Sequence, residues 1–537
     1  MKLTTMTSKL INYLVISAIW IFGIMSSPLW SAEFSDLDIG EAFKGSLSHN
    51  QPERGFKVVC NKGDYLTGYL DSPKYPLTLD VINSDGKIIR RLVHNQSGKN
   101  YFYLVAENCS NTWRVSGLGR YNLKLEAQVS IEDQAPPQTE SPLSPRVKTL
   151  ENALKVGSTT DSFWADVEES GTPLIEKTPA GILMTFLARG DYSNVKLLGA
   201  PSNDHESLKR LGQSDTWYKS FHVPQDTHLS YQIAPNVPYP PFSGFARRVA
   251  IKAVAQQDPY NHFPWPASSI DKYSGYSTIS LSTKTKEPKN QITEVAKKGT
   301  LSSFSFTSPT LKNTRNITIY TPALKNQAPL LLYIFDAQKY LELVELPKML
   351  DELIANKNIP PVITVFISNP DAASRANELP ANNLFADALA NELVPQVNQR
   401  LNIPIPSTRV IVAGSSYGGL AATNAALRHP KVFGNVLSMS GSFWWAPKEN
   451  QINSQHYMAK QFITMSQKPI RLFLSAGLFE TSRGVGDGIL ETNRHLRDVL
   501  LAKGYTTYYK EYSAGHDYFS WRDIIADGLM TLFPQME

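Results

Sequence analysis

Cysteine is scarce in this chain. Its 537 residues include only Cys60 and Cys109, both in the N-terminal part. Neither has the histidine and cysteine neighbours that a metal site requires, so no metal site is expected. In an oxidising compartment the two can form one disulfide, which would stabilise the segment by roughly 4 kcal/mol in the chain-entropy model. Two free buried thiols are the alternative.

An excess of charge of one sign is also lacking. The formal net charge is +5, with 19% charged and 42% hydrophobic residues. This balance indicates a soluble globular protein and favours neither a nucleic-acid binder nor a polybasic membrane tail. The length is too great for one core, and we expect roughly two to four domains.

The first 32 residues differ from the rest of the chain. Lys2 and Lys9 precede an apolar run from Leu10 to Met25, and small residues lead to Ser31 and Ala32. This pattern is typical of a secretory signal peptide. Because the run is long and the cleavage site matches poorly, an uncleaved membrane anchor is the alternative. We expect residues 1–32 to be removed, leaving a secreted protein without a stable membrane anchor.

Two β-rich regions are predicted next. Residues 33–131 contain short strands and a strong hairpin signal at 83–86, which together predict an accessory β-sandwich module. Residues 132–147 are rich in proline and are predicted to be an extended linker. Residues 148–295 form a second β-rich domain in this interpretation.

The pattern changes in residues 296–537. Apolar, β-branched strands alternate there with helix-like segments, among them Glu342 to Ile354 and Leu384 to Leu401. Such alternation predicts a mostly parallel sheet covered on both faces. The predicted fold class is therefore α/β, with two β-rich domains in front of the α/β domain.

The strongest motif is Gly414-Ser415-Ser416-Tyr417-Gly418, which fits G-x-S-x-G. A strand at 410–412 runs into it, and helix-forming residues follow. Strand, sharp turn and helix are the context of a nucleophile elbow, with the flanking glycines required to avoid backbone clashes. A glycine-rich turn without catalytic role is the alternative. We predict an α/β-hydrolase domain with Ser416 as nucleophile.

A serine nucleophile needs a base and an orienting acid, which follow in the order Ser, acid, His in this fold. His516 lies after the last predicted strand and is the predicted base. Glu480 lies just past the preceding strand and is the predicted acid, with Asp487 as its alternative. The oxyanion hole is predicted from the N–H groups of Tyr417 and, after the strand ending at residue 335, of Ala337.

Beyond the elbow, the sequence resembles the enterochelin (ferric-enterobactin) esterase family. The matching segments are GSSYGGLAA, FGNVLSMSGSFWW, SRANELP, LSAGLFE and GHDYFSWR, and before them SFWADVEESGTPLIE and DPYNHFPW. The resemblance implies hydrolysis of the esters of a cyclic catecholate siderophore, with Ser416 as nucleophile, Glu480 as acid and His516 as base. It also implies no resident cofactor, because iron enters with the substrate.

Two features depart from that family's pattern. The family usually has Asp-Gly after the oxyanion strand, whereas Ala337 follows Asp336 here. Cytoplasmic members also lack the secretory segment and the 33–131 module. Because of the secretory segment, the chain resembles an exported member of the family, and the periplasm is its expected location.

A ferric tris-catecholate is strongly anionic, so its site should offer cations and flat apolar surfaces. The candidates for substrate binding are Arg375, Glu378, Trp444 and Trp445, with Arg483 and Arg522 as further cations. Arg375 lies at the carboxyl end of a strand, where ligands bind in open sheets, and can face catecholate oxygens. An ion pair with Glu378 is its alternative role, and core packing is the alternative for both tryptophans.

The expected partner is thus a small catecholate siderophore, with no nucleic acid, and the oligomeric state stays open. Two other functions are compatible with the sequence. One is an exported serine esterase acting on a feruloyl or short acyl ester. The other is a siderophore-binding protein without catalytic activity.

Overall fold

The computed structural model describes residues 34–131, 134, 142–199, 201–202, 205–238, 245–281, 298–323, 327–447, 456–482 and 487–534. The predicted signal peptide and most of the predicted linker lie outside these residues, as does Arg483. In the described ranges, no helix has both the length and the apolar character needed to cross a membrane.

The N-terminal module (residues 34–131) is a single hydrogen-bonded sheet. Its strands are β1 Phe34–Asp36, β2 Ala42–Leu47, β3 Glu53–Lys57, β4 Tyr65–Ile82, β5 Ile88–Val105, β6 Thr112–Gly117 and β7 Gly119–Val129. Strand β4 pairs with β5 on one side, and on the other with β7 over its first half and β6 over its second. Strand β4 is longer than the short strands predicted for this region, and a register shift between Ser72 and Leu77 interrupts its pairing with β5.

Alternate side chains of these strands point into one apolar core, which includes Phe56, Trp113 and Leu123. Cys60 and Cys109 are joined by a disulfide at the border of this core. The disulfide closes the chain over a separation of 49 residues.

The middle domain (residues 142–281) combines two four-stranded sheets with helices. Its helices are α1 Pro145–Lys155, α2 Asp161–Ser170 and α3 Phe245–Val254. Its strands are β8 Leu174–Thr178, β9 Gly181–Arg189, β10 Val195–Leu198, β11 Lys209–Arg210, β12 Thr216–Val223, β13 His228–Pro235, β14 Pro264–Trp265 and β15 Tyr276–Ser280. The sheets have the orders β10-β13-β15-β14 and β11-β12-β9-β8.

The middle domain is less purely β than predicted. Helix α1 begins at Pro145, inside the predicted linker, because Ser144 caps it by accepting a hydrogen bond from Val147 N at 3.2 Å. Helix α2 buries Phe163, Trp164 and Val167, at the spacing of one helical face. These are local helix signals that an interpretation based on proline content overlooks.

The hydrolase domain (residues 298–534) is built on an eight-stranded sheet. The strands are β16 Thr300–Ser308, β17 Asn313–Thr321, β18 Leu330–Ile334, β19 Val362–Ile367, β20 Val410–Ser415, β21 Asn435–Met439, β22 Arg471–Gly477 and β23 Thr506–Tyr512. The helices are α4 Leu346–Ala355, α5 Ala372–Glu378, α6 Asn383–Ala388, α7 Val394–Leu401, α8 Tyr417–Arg428, α9 Tyr457–Thr464, α10 Ile489–Ala502 and α11 Tyr518–Leu532. Shorter helical turns span Lys339–Leu343, Leu389–Leu393 and Ser407–Arg409.

The strand order is β16-β17-β19-β18-β20-β21-β22-β23. Strands β16 and β17 pair antiparallel to their neighbours, and from β19 onward the neighbours are parallel. One apolar core covers each face of the sheet, and one of the two contains buried residues of α4 and α11. The predicted α/β fold is confirmed, and the carboxyl ends of the parallel strands share one edge.

One predicted helix of this domain begins later than expected. A helix was predicted from Glu342, whereas α4 begins at Leu346. Glu345 interrupts the helical conformation with a φ of 53°. The residues before it form the separate helical turn Lys339–Leu343, which therefore stays close to the end of β18.

Candidate active site

Ser416 occupies a sharp turn between β20 and α8. Its φ of 57° and ψ of −122° are unusual for a residue with a side chain, as expected for a nucleophile elbow. A Cβ at Gly414 would lie 2.6 Å from the Gly418 carbonyl carbon, so glycine is required at 414. A Cβ at Gly418 would meet Phe335 at an ordinary 3.6 Å, so the prediction that both flanking glycines are required is wrong for Gly418.

Glu480 and His516 are in direct contact beside this turn. Nδ1 of His516 is hydrogen-bonded to Oε1 of Glu480, while Oε2 accepts bonds from Ser440 Oγ at 2.7 Å and Gly477 N at 2.6 Å. The Glu480 side chain is 1% exposed and the imidazole 31% exposed. A buried, fully bonded carboxylate therefore fixes an imidazole whose outer edge faces the site.

Asp487, the alternative acid, and Asp517, the residue after the base, both have other contacts. Asp487 lies 3.1 Å from His456 Nε2. Asp517 caps α11, because its Oδ1 accepts a hydrogen bond from Ser520 N at 3.0 Å. Glu480 is thus the carboxylate that the fold places on His516.

The chain after β21 connects the elbow to Glu480. Ser416 N donates to Met439 O at 2.9 Å, and Ser442 N donates to Ser416 O at 3.1 Å. Ser440, between these two contacts, is the residue that donates to Glu480. This segment therefore fixes the distance between nucleophile and acid.

The hydroxyl of Ser416 points toward this segment. Its Oγ lies 3.3 Å from Ser442 Oγ, and among the described residues it makes no hydrogen bond to His516. Catalytic hydrogen bonds are often loose in a free enzyme and tighten once substrate is bound. A rotation about the Cα–Cβ bond of Ser416 is the movement that would redirect its hydroxyl.

Both predicted oxyanion donors lie at the same edge of the sheet. Tyr417 is the first residue of α8, so its N–H is one of the unpaired donors at a helix N-terminus. Ala337 is buried just after β18, and the preceding Asp336 turns the backbone with a φ of 56°. Neither N–H donates to another group in the described part of the chain, so both are available to an anionic oxygen.

Arg375 is held by Asp336 and not by Glu378. Its Nε and one terminal nitrogen each lie 2.7 Å from a carboxylate oxygen of Asp336. Burial acts to lower the pKa of Arg375, but the hydrogen bonds and charge of Asp336 outweigh it, so the pKa is raised and the cation is secured. The Arg375 side chain keeps 32% of its surface exposed.

Glu378 is not at the site, contrary to the sequence-based prediction. It is 6% exposed, and its Oε2 accepts a hydrogen bond from Arg315 at 2.8 Å. Arg315, on β17, is 63 residues away in the chain. Sequence proximity suggested Arg375 as the partner, whereas the fold supplied a buried arginine from a neighbouring strand.

The two tryptophans face different surroundings. Trp444 is 45% exposed, with its ring centre 6.0 Å from that of Tyr417, so it borders the site. Trp445 packs on the core and meets Tyr457 edge to face at 5.9 Å. Trp444 is therefore the better placed of the two for the predicted stacking role, and the partly buried Trp445 has the contacts of its alternative role in core packing. Arg522 donates to its neighbour Asp523.

Trp521 and two serines contact the catalytic residues directly. Trp521 packs edge to face on His516 at 4.7 Å, and its Nε1 donates to Ser440 Oγ at 3.0 Å. Ser440 and Ser442 follow the buried strand β21, in the segment SMSGS. Small polar residues directly after a buried strand were the available sequence signal for this role.

The middle domain contacts the loops that carry the acid and the base. His228 N donates to Ser513 O at 2.9 Å, and Ser230 Oγ donates to Asp517 Oδ1 at 3.1 Å. Phe479, the residue before Glu480, packs in the apolar core of the middle domain. The site is thus supported from two domains.

Two family models match the chain. The model described as "Putative esterase" matches residues 308–532, and the model described as "Enterochelin esterase, N-terminal" matches residues 183–289. Together they cover more than half of the chain and leave the N-terminal module outside.

Proteins similar to this chain carry related names. The iron(III) enterobactin esterase of Dickeya dadantii is 29% identical over 425 residues, which is 72% of this chain and 95% of that protein. The iron(III) enterobactin esterase of Escherichia coli O6:H1 is 32% identical over 230 residues, which is 42% of this chain and 55% of that protein. The crystal structure of ferric enterobactin esterase from Salmonella typhimurium has a TM-score of 0.57 at 25% identity, covering 69% of this chain and 98% of that one. This chain belongs to the enterochelin esterase family.

Proposed function

We propose that this protein is a serine esterase that hydrolyses the ester bonds of a catecholate siderophore and thereby releases iron. The observation that carries the proposal is the arrangement around Ser416: the Glu480–His516 pair on one side and the Asp336–Arg375 pair on the other. The first pair supplies proton transfer, and the second supplies a fixed positive charge. The name and near-complete alignment of the Dickeya dadantii relative support the substrate class.

The reaction begins with attack by Ser416 on the ester carbonyl carbon. His516 takes the hydroxyl proton as the new C–O bond forms, and Glu480 stabilises the imidazolium. The negative charge that develops on the carbonyl oxygen is bound by the N–H groups of Tyr417 and Ala337. His516 then returns the proton to the leaving alcohol, and a seryl ester remains.

Water completes the cycle. His516 removes a proton from the water as the water attacks the carbonyl carbon of the seryl ester. The bond from that carbon to the Ser416 oxygen then breaks, and His516 returns the proton to this oxygen. Every proton transfer in this scheme uses a side chain of the protein. The iron belongs to the substrate, and we propose that no resident cofactor takes part.

Arg375 is the proposed recognition residue for the anionic substrate. Its guanidinium is anchored on one edge by Asp336, and its exposed part can face catecholate oxygens. Trp444, exposed beside Tyr417, offers a flat surface for a catechol ring.

We also propose that the protein acts in the periplasm. The signal-like pattern of the first 32 residues supports export. The Cys60–Cys109 disulfide is consistent with an oxidising compartment. Fractionation of the source cells, followed by an immunoblot with cytoplasmic and periplasmic marker proteins, tests this; recovery with the cytoplasmic marker would contradict it.

The decisive experiment is turnover of a catecholate tri-ester, iron-free and iron-loaded, followed by chromatography. We expect the wild type to yield linear trimer, dimer or monomer, and Ser416→Ala to lose activity by about 10³-fold or more. Ser466→Ala, at an exposed position, is the matched control and should keep wild-type activity.

The other outcomes identify the alternatives. An intact tri-ester together with cleavage of feruloyl or short acyl esters would preserve the serine mechanism and overturn the substrate. Tight binding of the siderophore without turnover of any ester would indicate a binding protein instead of an enzyme.

A further inference from the structure

Three positively charged side chains come together where the three parts of the molecule meet. Arg248 and Lys252 lie one helical turn apart on α3 of the middle domain. Lys339 begins the helical turn after Ala337 in the hydrolase domain. Each keeps part of its surface exposed to solvent. We call them the junction cations.

The N-terminal module holds both sides of this junction. Arg90 of β5 donates hydrogen bonds to the carbonyl oxygens of Ala253 and Lys252, on α3. Gln96, further along the same strand, donates to Gln338 Oε1 at 2.9 Å, directly beside Lys339. One strand of the module thus fixes the backbone of α3 and the loop after β18 relative to each other.

The junction cations are not neutralised by a salt bridge in the described part of the chain. Burial and, to a lesser extent, the charges of Arg248 and Lys339 together lower the pKa of Lys252 to about 8. Burial also lowers the pKa of Lys339, against the opposing charges of Glu342 and Asp336. The fold therefore keeps like charges close together, an arrangement that a bound anion would relieve.

The junction cations are continuous with the catalytic centre. Lys339 N donates to the carbonyl oxygen of Asp336, the residue whose carboxylate holds Arg375. In the same helical turn, Tyr340 OH donates to Ser415 Oγ at 3.2 Å, next to the nucleophile. The cations therefore lie on the oxyanion side of Ser416, opposite the Glu480–His516 pair.

We propose that Arg248, Lys252 and Lys339 form a second anionic subsite, which binds a catecholate group of the substrate away from the ester being cleaved. The proposal rests on the siderophore esterase function proposed above and extends it. A tri-ester substrate carries several catecholate groups, and Arg375 can face only part of them. The N-terminal module, which lies outside both family models, acquires a role here: it fixes the two walls of this subsite.

The test is the double substitution Lys252→Gln with Lys339→Gln in the full-length protein. The ratio of kcat/KM for the ferric tri-ester to kcat/KM for a neutral aryl ester should fall by about tenfold or more, because two charged contacts are lost. The loss should shrink as salt is raised. The matched control removes two positive charges from α1, by Lys148→Gln with Lys155→Gln, and should leave the ratio unchanged.

Binding is measured separately from turnover. In the Ser416→Ala background, quenching of tryptophan fluorescence by the ferric catecholate gives a Kd, which the two junction substitutions should raise by about tenfold. An unchanged Kd and an unchanged ratio would overturn the subsite. If the wild type does not cleave the tri-ester but the Kd still rises, the proposed function fails and the subsite stands.

Discussion

Two pairs of side chains flank the nucleophile in nearly the same way. On one side, Glu480 is 1% exposed and holds His516, which is 31% exposed. On the other, Asp336 is 5% exposed and holds Arg375, which is 32% exposed. Each carboxylate follows the end of a parallel strand, β22 or β18, and each orients a partner that reaches the site.

The difference between the pairs lies in what the partner can do with a proton. An imidazole gains and loses its proton near neutral pH, whereas a guanidinium stays charged. The sheet therefore uses one local device, a buried carboxylate beyond a strand end, for proton transfer on one side and for a permanent charge on the other. The partner therefore sets the chemistry of each pair, while the carboxylate sets the position of that partner.

The largest expected effect comes from breaking the first pair. Glu480→Gln should lower kcat by on the order of 10³-fold or more, because an amide cannot stabilise the imidazolium. If the amide oxygen accepts the bonds from Ser440 and Gly477, the amide nitrogen faces His516 Nδ1 and cannot accept a hydrogen bond from it. Steady-state kinetics on an aryl ester measures the loss. Asp487→Asn is the matched control; an equal loss in that variant would contradict the assignment of the acid.

Breaking the second pair should change substrate preference more than chemistry. Arg375→Gln should lower kcat/KM for the ferric tri-ester by about 10- to 100-fold, the size of a charge-assisted contact, with a smaller loss for a neutral ester. Competition between the two substrates measures the ratio directly. Equal losses for both would assign Arg375 a structural role.

Glu378 is near Arg375 in sequence but pairs with buried Arg315, so Glu378→Gln should affect stability and leave substrate preference unchanged. The substitution leaves a buried cation poorly paired and should reduce the free energy of unfolding by roughly 3 kcal/mol. Denaturant titration measures it. The ratio of ferric to neutral kcat/KM should stay at the wild-type value; a changed ratio would return Glu378 to the site.

A smaller effect is expected at the support for the base. Ser230→Ala removes the middle-domain hydrogen bond to Asp517, in the loop next to His516. We expect kcat to fall by about threefold to tenfold, in line with about 1 kcal/mol for one hydrogen bond. Ser230→Thr keeps the hydroxyl and should restore the rate. A loss of stability without any change in kcat would limit Ser230 to a structural role.

The smallest effect is a pH dependence in the junction cations. The groups that face Lys252 are Arg248 on its own helix and Lys339 from the hydrolase domain, with Arg90 bonded to its carbonyl oxygen. Because its pKa is lowered to about 8, Lys252 loses its charge as the pH rises through that value. Affinity for the ferric catecholate should therefore fall over this range.

Stability should change in the opposite direction. The unfolded chain keeps the proton on Lys252 up to its ordinary pKa of 10.5, so between about 8 and 10.5 the unfolded state binds more protons and folding becomes more favourable as pH rises. Lys252→Gln should reduce both slopes. Binding and denaturant titrations at several pH values measure them; slopes identical to those of the wild type would contradict the lowered pKa.

Sequence reasoning succeeded where the signal is local. The elbow around Ser416 depends on a strand, a glycine and a helix that are adjacent in the chain, and the structure has all three. Positions relative to strand ends likewise placed Glu480 and His516, which the fold brings into contact. The strand order then brings these residues together, because parallel strands have their carboxyl ends at one edge of the sheet.

It failed where the partner is distant in sequence. Glu378 is paired with Arg315, which is 63 residues away in the chain, and no local sequence pattern predicts that contact. Trp444 and Trp445 are adjacent and chemically identical, so only the three-dimensional path after β21 decides which of them is exposed. Helix α1 is a different case, because its Ser-Pro start was present in the sequence and the proline content of the linker obscured it.

The contacts between the middle domain and the loops of Glu480 and His516 have a consequence for how the enzyme loses activity. The acid follows a residue buried in the middle-domain core, and the loop of the base is bonded to β13. An opening of the middle domain would therefore release both loops even while the eight-stranded sheet stayed intact. Activity therefore requires that the middle domain and the hydrolase domain stay in contact. Inactivation on heating should precede the melting of the hydrolase core.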